Sequence, residues 1–266
     1  MFFLLMSRIA KARKAYEKRD VEAARKVHTQ HAIKHEHHQI GSGRYIGDAV
    51  YGALDGIITT FAIVSGVVGA SLSVTIVLIL GFASLLADGI SMSVGNYLGT
   101  KSEQDYYKKE REREEWEIEK FPDAEIEEIT QIYENKGFSG KELDSIVKKI
   151  TSDKELWIDE MMKDELHLMK DEKNPVKAGL ATFAAFIIAG FAPLFSYVAT
   201  LAFPSLAPMS FQIAVILTAI IIFIVGSARS IIIGKKWYVA GFEMLLVGGA
   251  AAIAAYYIGF LISGFV

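Results

Sequence analysis

Two aspartates lie inside stretches apolar enough to be membrane helices, and their neighbours narrow what they could bind. Asp55 stands in GALDGIITTF between Gly52 and Gly56, a spacing that lets helices approach closely, with Thr59 one turn further along the same face. Asp88 stands in LLADGISMSVGNY, four residues before Met92, so a carboxylate and a thioether share one helical face. An ionisable group in a spanning helix costs roughly a few kcal/mol or more, so it needs a partner, a watery path or a bound ion. Carboxylate, hydroxyl and thioether together suit a borderline-soft cation better than magnesium or calcium, which prefer oxygen alone. The alternative is structural: either aspartate pairs with Arg229 or Glu243 across helices or bonds to a neighbouring backbone. Asp48, near the start of the same apolar stretch, is expected at the interface, where a charge costs little.

A second set of acids lies further on. Glu110, Glu114 and Glu117, at spacings of four and three, line one face of a helix, and Glu125 with Glu128 repeats that geometry. In WIDEMMKDELHL, Met161 and Glu165 are one turn apart with Met162 adjacent. If these helices fold together, several carboxylates and two thioethers converge without matching cations, and such a site binds metal or takes up protons. The alternative is a solvated charged face. The run HTQHAIKHEHH adds His28, His31 and His35 on one helical face, with His37, His38 and Glu36 beside them: a metal-collecting arm or a polar linker. With no cysteine in the chain, thiolate metal sites, disulfides and cysteine nucleophiles are excluded.

The elements that must position these groups follow from hydropathy. The 266 residues are 52% hydrophobic with a mean hydropathy of +0.31, yet carry 28 basic and 31 acidic side chains, so the charges must be segregated. Residues 101–175 hold 23 of the acids and 14 of the bases, a balance of −9 against −3 for the whole chain. Five stretches reach the ~20 residues a crossing needs: about 46–70, 74–100, 176–201, 211–234 and 237–265. The N-terminal arm, segment 101–175 and the turn with Arg229, Lys235 and Lys236 carry the Lys and Arg. The intervening links at 69–75 and 199–210 carry none. The basic side is therefore expected to be cytosolic, N-terminus included. This divides the chain into a cytosolic amphipathic, His-rich arm at 1–45, helices 1 and 2 at 46–100, an acidic cytosolic helical module at 101–175, and helices 3 to 5 at 176–266. The apolar start MFFLLM is too short for a span and lacks the flanks of a secretory signal. Residues 7–27 suit a helix on a membrane surface or a plain solvated one.

Within the module, the second span is expected to continue as helix through KSEQDYYKKEREREEWEIEK until Pro122 breaks it. A further helix starts near Pro122 and stops at Gly137. Ser139 with Glu142, and Ser152 with Glu155, match capping boxes and mark two more helix starts.

YGALDGIITTFAIVSGVVGA, then LLADGISMSVGNY, then EREREEWEIEKFPDAEIEEI and DEMMKDELHL, in this order, resemble the vacuolar iron transporter family from about Gly47 to the end. The resemblance implies an all-α membrane protein: a homodimer of five-span subunits whose first two helices enclose a pathway above a cytosolic metal-binding domain. It implies that Asp55 and Met92 line that pathway, and that Glu114, Glu117, Glu125, Glu128, Met161, Met162 and Glu165 are the domain's ligands. Where many relatives carry Glu in the second span, this chain has Asn96, which bears on ion preference and proton coupling.

The expected function is export of ferrous iron, or another divalent transition metal such as manganese, from the cytosol, some members of the family exchanging protons. Iron is then cargo and domain ligand, with no prosthetic group and no enzyme activity. The membrane is the cell membrane in a prokaryote and the vacuolar membrane in a eukaryote. One rival is a membrane-anchored ferroxidase, which usually needs Glu-x-x-His pairs that the module lacks, since Glu165 and His167 have the wrong spacing. Another is a metal sensor that moves nothing. The acidic module disfavours nucleic acid, and no Walker-type loop supports nucleotide-driven pumping.

Overall fold

The computed structural model describes residues 8–27, 42–233 and 235–265. The histidine run at 28–38, with Glu36, lies outside them. The chain divides into two units at Ile46/Gly47. In the first, α1 (Arg8–Glu17) and α2 (Val21–Val27) pack together across a turn in which Arg19 takes a positive φ. Asp20 caps α2 by accepting from the Ala23 N–H at 2.9 Å.

The regular elements among the second unit's described residues are all helices. Helix α3 (Ile46–Gly69) is followed by α4 (Val74–Lys120), whose 47 residues make a rod about 70 Å long. At its end come α5 (Pro122–Asn135), α6 (Gly140–Thr151) and α7 (Lys154–Glu160), the last continued by a π-helical turn at Met161–Glu165. Then follow α8 (Pro175–Gly190), α9 (Ala192–Ala202), α10 (Ser210–Ile233) and α11 (Trp237–Ser263).

Among the described residues, four helices are unbroken, long and apolar enough to cross a membrane: those at Ile46–Gly69, Val74–Lys120, Pro204–Ser230 and Trp237–Ser263. The crossing expected at 176–201 is not one straight helix. It is α8 and α9, bent by 51° at Phe191, and a fifth span exists if the pair acts as one. Pro193, in the first turn of α9, explains the break: its ring cannot donate the backbone bond and collides with the carbonyl four residues back.

Close packing fixes α3 against α8. A Cβ on Gly52 would lie 2.4 Å from the Thr182 carbonyl oxygen, and one on Gly56 2.4 Å from that of Phe186, so only hydrogen fits at either place. Ser93 of α4 donates to the Gly179 carbonyl at 2.9 Å, tying α4 to the same helix. Phe61, Val64, Val77, Leu85, Phe186 and Leu194 fill the space between them. Elsewhere α4 and α11 turn long apolar side chains outward, Leu86, Ile90, Phe242 and Leu246 among them, as lipid or a second copy would require.

The helices after α4's apolar half close around their own core of Ile118, Ile129, Tyr133, Val147, Trp157, Ile158, Met161 and Met162. Pro122 opens α5 with Asp123 and Glu125 in its first turn, and Gly137, at φ +95°, ends it as expected. Of the two capping boxes, neither serine caps. No cap bond forms at Ser139, although α6 starts beside it. Ser152 donates back to the Lys149 carbonyl at 2.7 Å, while Asp153 caps α7 by accepting from the N–H groups of Glu155 and Leu156 at 3.1 and 3.3 Å. A carboxylate one residue later takes the role because it accepts two donors at the helix's positive end.

Candidate functional site

Beside the face on which Gly52 and Gly56 press on α8, Tyr51 and Asp55 of α3 are exposed at the protomer surface. The Asp55 carboxylate has no basic partner among the described residues. Neither expected partner reaches it, because Arg229 lies 3.9 Å from Glu243, which Lys235 also engages at 2.6 Å. Thr59, on the same face, donates its hydroxyl to the Asp55 backbone carbonyl at 2.6 Å, leaving its oxygen lone pairs as its remaining polar capacity. Asp88, on α4, is close enough for its charge to act on Asp55, and it accepts a hydrogen bond from Ser84. Met92, one turn beyond, is partly buried beside the core of the spans and lines an open cavity at the end of the bundle that adjoins the helical module.

Asp48 is packed and ion-paired near the start of α3. It is only 9% exposed and bonds to the Lys173 ammonium at 2.8 Å and the Asn96 amide at 3.1 Å. Its charge is met by a side chain 125 positions away. Nothing local in the sequence announces that pairing.

The module's acids do converge. Glu114 and Glu125 are 1% and 5% exposed, and burial followed by neighbouring carboxylates raises both to about 7. For Glu114 the neighbours, Glu165 first, also include Glu125 and Glu117; for Glu125 they are Glu128, Glu117 and Glu165. Glu165 is raised as well, by burial and then by Glu128. Five expected ligands from α4, α5 and the π-helical turn thus feel one another's charge. The two thioethers lie beneath them: Met161 and Met162 are fully buried in the module's apolar core.

The expectation that no cation matches these acids fails. Arg113 reaches Glu110 at 2.9 Å, Glu114 at 2.8 Å and Glu117 at 2.8 Å, so one guanidinium serves three carboxylates. Around it, among the described residues, no three acids or histidines stand close enough to grip one ion in this conformation. Both Glu114 oxygens and one of Glu125 nevertheless lack a properly directed hydrogen bond, so the Glu114–Arg113 contact is a charge pairing more than a directed bond. The residue missed from sequence was Arg113 itself. Its spacing of three from Glu110 and four from Glu117 was the available signal.

Spans that bury glycines and leave a carboxylate outward, joined to a compact acidic helical module, define a multi-pass membrane protein. The chain belongs to the VIT family, whose sequence profile matches residues 46–260. It is 38% identical over 264 residues to a vacuolar iron transporter of Toxoplasma gondii, covering 95% of this chain and 87% of that protein. It is 36% identical to one of Plasmodium berghei, covering 96% of each, and 32% identical to vacuolar iron transporter 1 of Arabidopsis thaliana, covering 84% of this chain and 88% of that one. These relatives are named as transporters, not as enzymes.

Proposed function

We propose that this protein carries ferrous iron, or a similar divalent transition ion such as manganese, out of the cytosol in exchange for protons, through a pore on the axis of a homodimer. The observation that carries the reading is Asp55: an exposed carboxylate in a spanning helix, beside the glycine contacts with α8, with no basic partner among the described residues. Facing hydrocarbon, it would cost several kcal/mol, by rough estimate, so the favourable arrangement sets it against a second subunit and a watery path. Paired Asp55 groups then offset part of the ion's lost hydration, and Met92 favours iron-like ions over harder ones. Proton uptake by these crowded acids releases the ion on the far side. Ions gather first on the module, where Glu114, Glu117, Glu125, Glu128 and Glu165 take the place of their water. In this arrangement the bent α8–α9 pair is the third of five spans, and the N-terminus and module are cytosolic. In a eukaryotic cell the membrane would be the vacuolar one that the relatives' names give, in a prokaryote the cell membrane.

Reconstitution into proteoliposomes with an imposed pH gradient tests this. Iron(II) uptake should follow the gradient in the unaltered protein and vanish in Asp55→Ala, while cross-linking still yields a dimer. Undiminished flux in that variant would remove Asp55 from the mechanism.

A further inference from the structure

We propose that the open cavity between α4, α7 and the segment 166–174 seats the phosphate of an anionic phospholipid from the leaflet on the module's side, and that this lipid fastens the module to the spans. The cavity is about 1190 Å³ in volume and reaches Asn174 and Pro175, where α8 begins. On α4 it starts at Gln104, whose side chain donates to the carbonyls of Asp171 at 3.0 Å and Lys173 at 2.5 Å and so straps the segment across the helix. At about 1.5 Å per residue, Gln104 and Lys108 lie about 6 and 12 Å past Thr100, the end of the expected crossing. The headgroup layer is roughly 5–7 Å thick, so Gln104 stands at its depth. The Lys108 ammonium, on a flexible four-carbon stem, can reach back into it.

Five bases and four acids line the cavity, a balance of +1, although all of them belong to residues 101–175, whose balance is −9. The acidic module thus gathers bases on the side nearest the membrane, and one phosphodiester charge complements what they leave. Two of the five are taken: Arg111 binds Asp159 and, at 2.6 Å, Glu155, and Lys173 binds Asp48 at 2.8 Å. Lys163 and Lys170 are exposed and enter no ion pair among the described residues. Lys108 meets Glu112 at 3.7 Å, but both side chains are exposed and water screens the contact. Ammonium groups from α4, the π-helical turn and the segment are therefore left to share one anion. The apolar edge makes that anion a lipid. Leu168 and Met169 line the same cavity, with Met169 80% exposed, and Val176 in the first turn of α8 is exposed as well. A free phosphate gains nothing from these side chains, whereas the glycerol and acyl chains of a lipid held at this depth cover them. Tyr107, also in the lining, stands where aromatic residues meet headgroups.

The site needs neither metal flux nor the dimer, so its test leaves the transport reading untouched. The full-length protein in detergent, titrated with phosphatidylglycerol or phosphatidylcholine and followed by native mass spectrometry, should retain phosphatidylglycerol the more tightly. Lys163→Gln with Lys170→Gln should weaken that binding by about tenfold or more, the scale of two lysines at an anionic surface. Lys141→Gln with Lys148→Gln removes the same charge from exposed positions on α6 and should leave it unchanged. Because the chain has no cysteine, Met169→Cys carries a single fluorophore. Acrylamide should quench it less in phosphatidylglycerol nanodiscs than in phosphatidylcholine ones, and the Lys163→Gln, Lys170→Gln pair should restore the quenching. Equal retention of the two lipids, equal losses in the two lysine pairs, or quenching at position 169 indifferent to the lipid overturns the proposal. Displacement of the lipid by millimolar inorganic phosphate overturns it too, by making this a site for free anions.

Discussion

The module's acids share a guanidinium, whereas Asp55 has no basic partner among the described residues; the two regions solve the same electrostatic problem in opposite ways. In the module, water is near and an arginine is affordable, so Glu110, Glu114 and Glu117 converge on Arg113, and burial raises Glu114 and Glu125 to about 7, where each is about half protonated at neutrality. In the spans a fixed arginine would neutralise the carboxylate for good and stop an ion from replacing it. On the proposed function the module would collect ions reversibly from a crowded solution, and Asp55 would pass them. The difference between them is the presence of an exchangeable internal cation.

The largest expected effect separates the two. Asp55→Ala should abolish iron uptake at every concentration, whereas Glu114→Gln with Glu125→Gln should raise the concentration for half-maximal uptake, by roughly tenfold, and leave the maximal rate near normal. Saturating flux lost equally in both would erase the distinction between collector and conduit.

A change of pH should follow at the next scale. An acid whose ordinary value near 4.5 is raised to about 7 in the fold holds its proton longer when folded than when unfolded. Between those values the folded protein binds more protons, so stability from these groups falls as pH rises from about 4.5 through 7 and is lowest above it. Metal binding runs the other way, because ligands must deprotonate: cobalt(II) affinity of the full-length protein should climb by roughly tenfold per pH unit per proton released up to about pH 7, then level. Thermal melts should therefore show cobalt(II) stabilising the protein more at pH 8 than at pH 6. An equal shift at both values would mean that Glu114 and Glu125 are not the groups it meets.

Arg113→Gln comes next. Arg113 is 43% exposed, so each of its three contacts is screened and worth about 1 kcal/mol or less. Removing it leaves Glu114 with neither counterion nor solvent, and the metal-free protein should melt lower at pH 8 but little changed at pH 6, where the acids are protonated. Metal affinity at pH 8 should rise several-fold, since the ion no longer displaces a guanidinium. A fall in affinity would show instead that Arg113 orders the site for metal.

Much of this was legible in sequence because it is local. Hydropathy placed four unbroken crossings and the bent pair α8–α9, the acid spacing placed Glu110, Glu114 and Glu117 on one face, and Gly52 with Gly56 announced the tight contact with α8 beside Asp55. What was not legible depends on distant partners or on choices between adjacent groups. Asp48 meets Lys173 only because α8 returns beside α3, and the 51° bend needs the packed helix around Pro193, not its mere presence.

The smallest effect tests such a choice. Ser152 and Asp153 both precede α7, and the serine with Glu155 three residues on has the pattern of a cap. In the fold the Asp153 carboxylate accepts from two backbone N–H groups while the Ser152 hydroxyl serves the end of α6. Asp153→Ala should therefore cost about 1 kcal/mol, and Ser152→Ala less than about half of that. Since α7 leads directly into the π-helical turn bearing Met161, Met162 and Glu165, the looser start in Asp153→Ala should also weaken cobalt(II) binding slightly, by roughly twofold. Denaturation by urea gives the first pair of values and calorimetry the second. Equal costs for the two substitutions would return the cap to the serine.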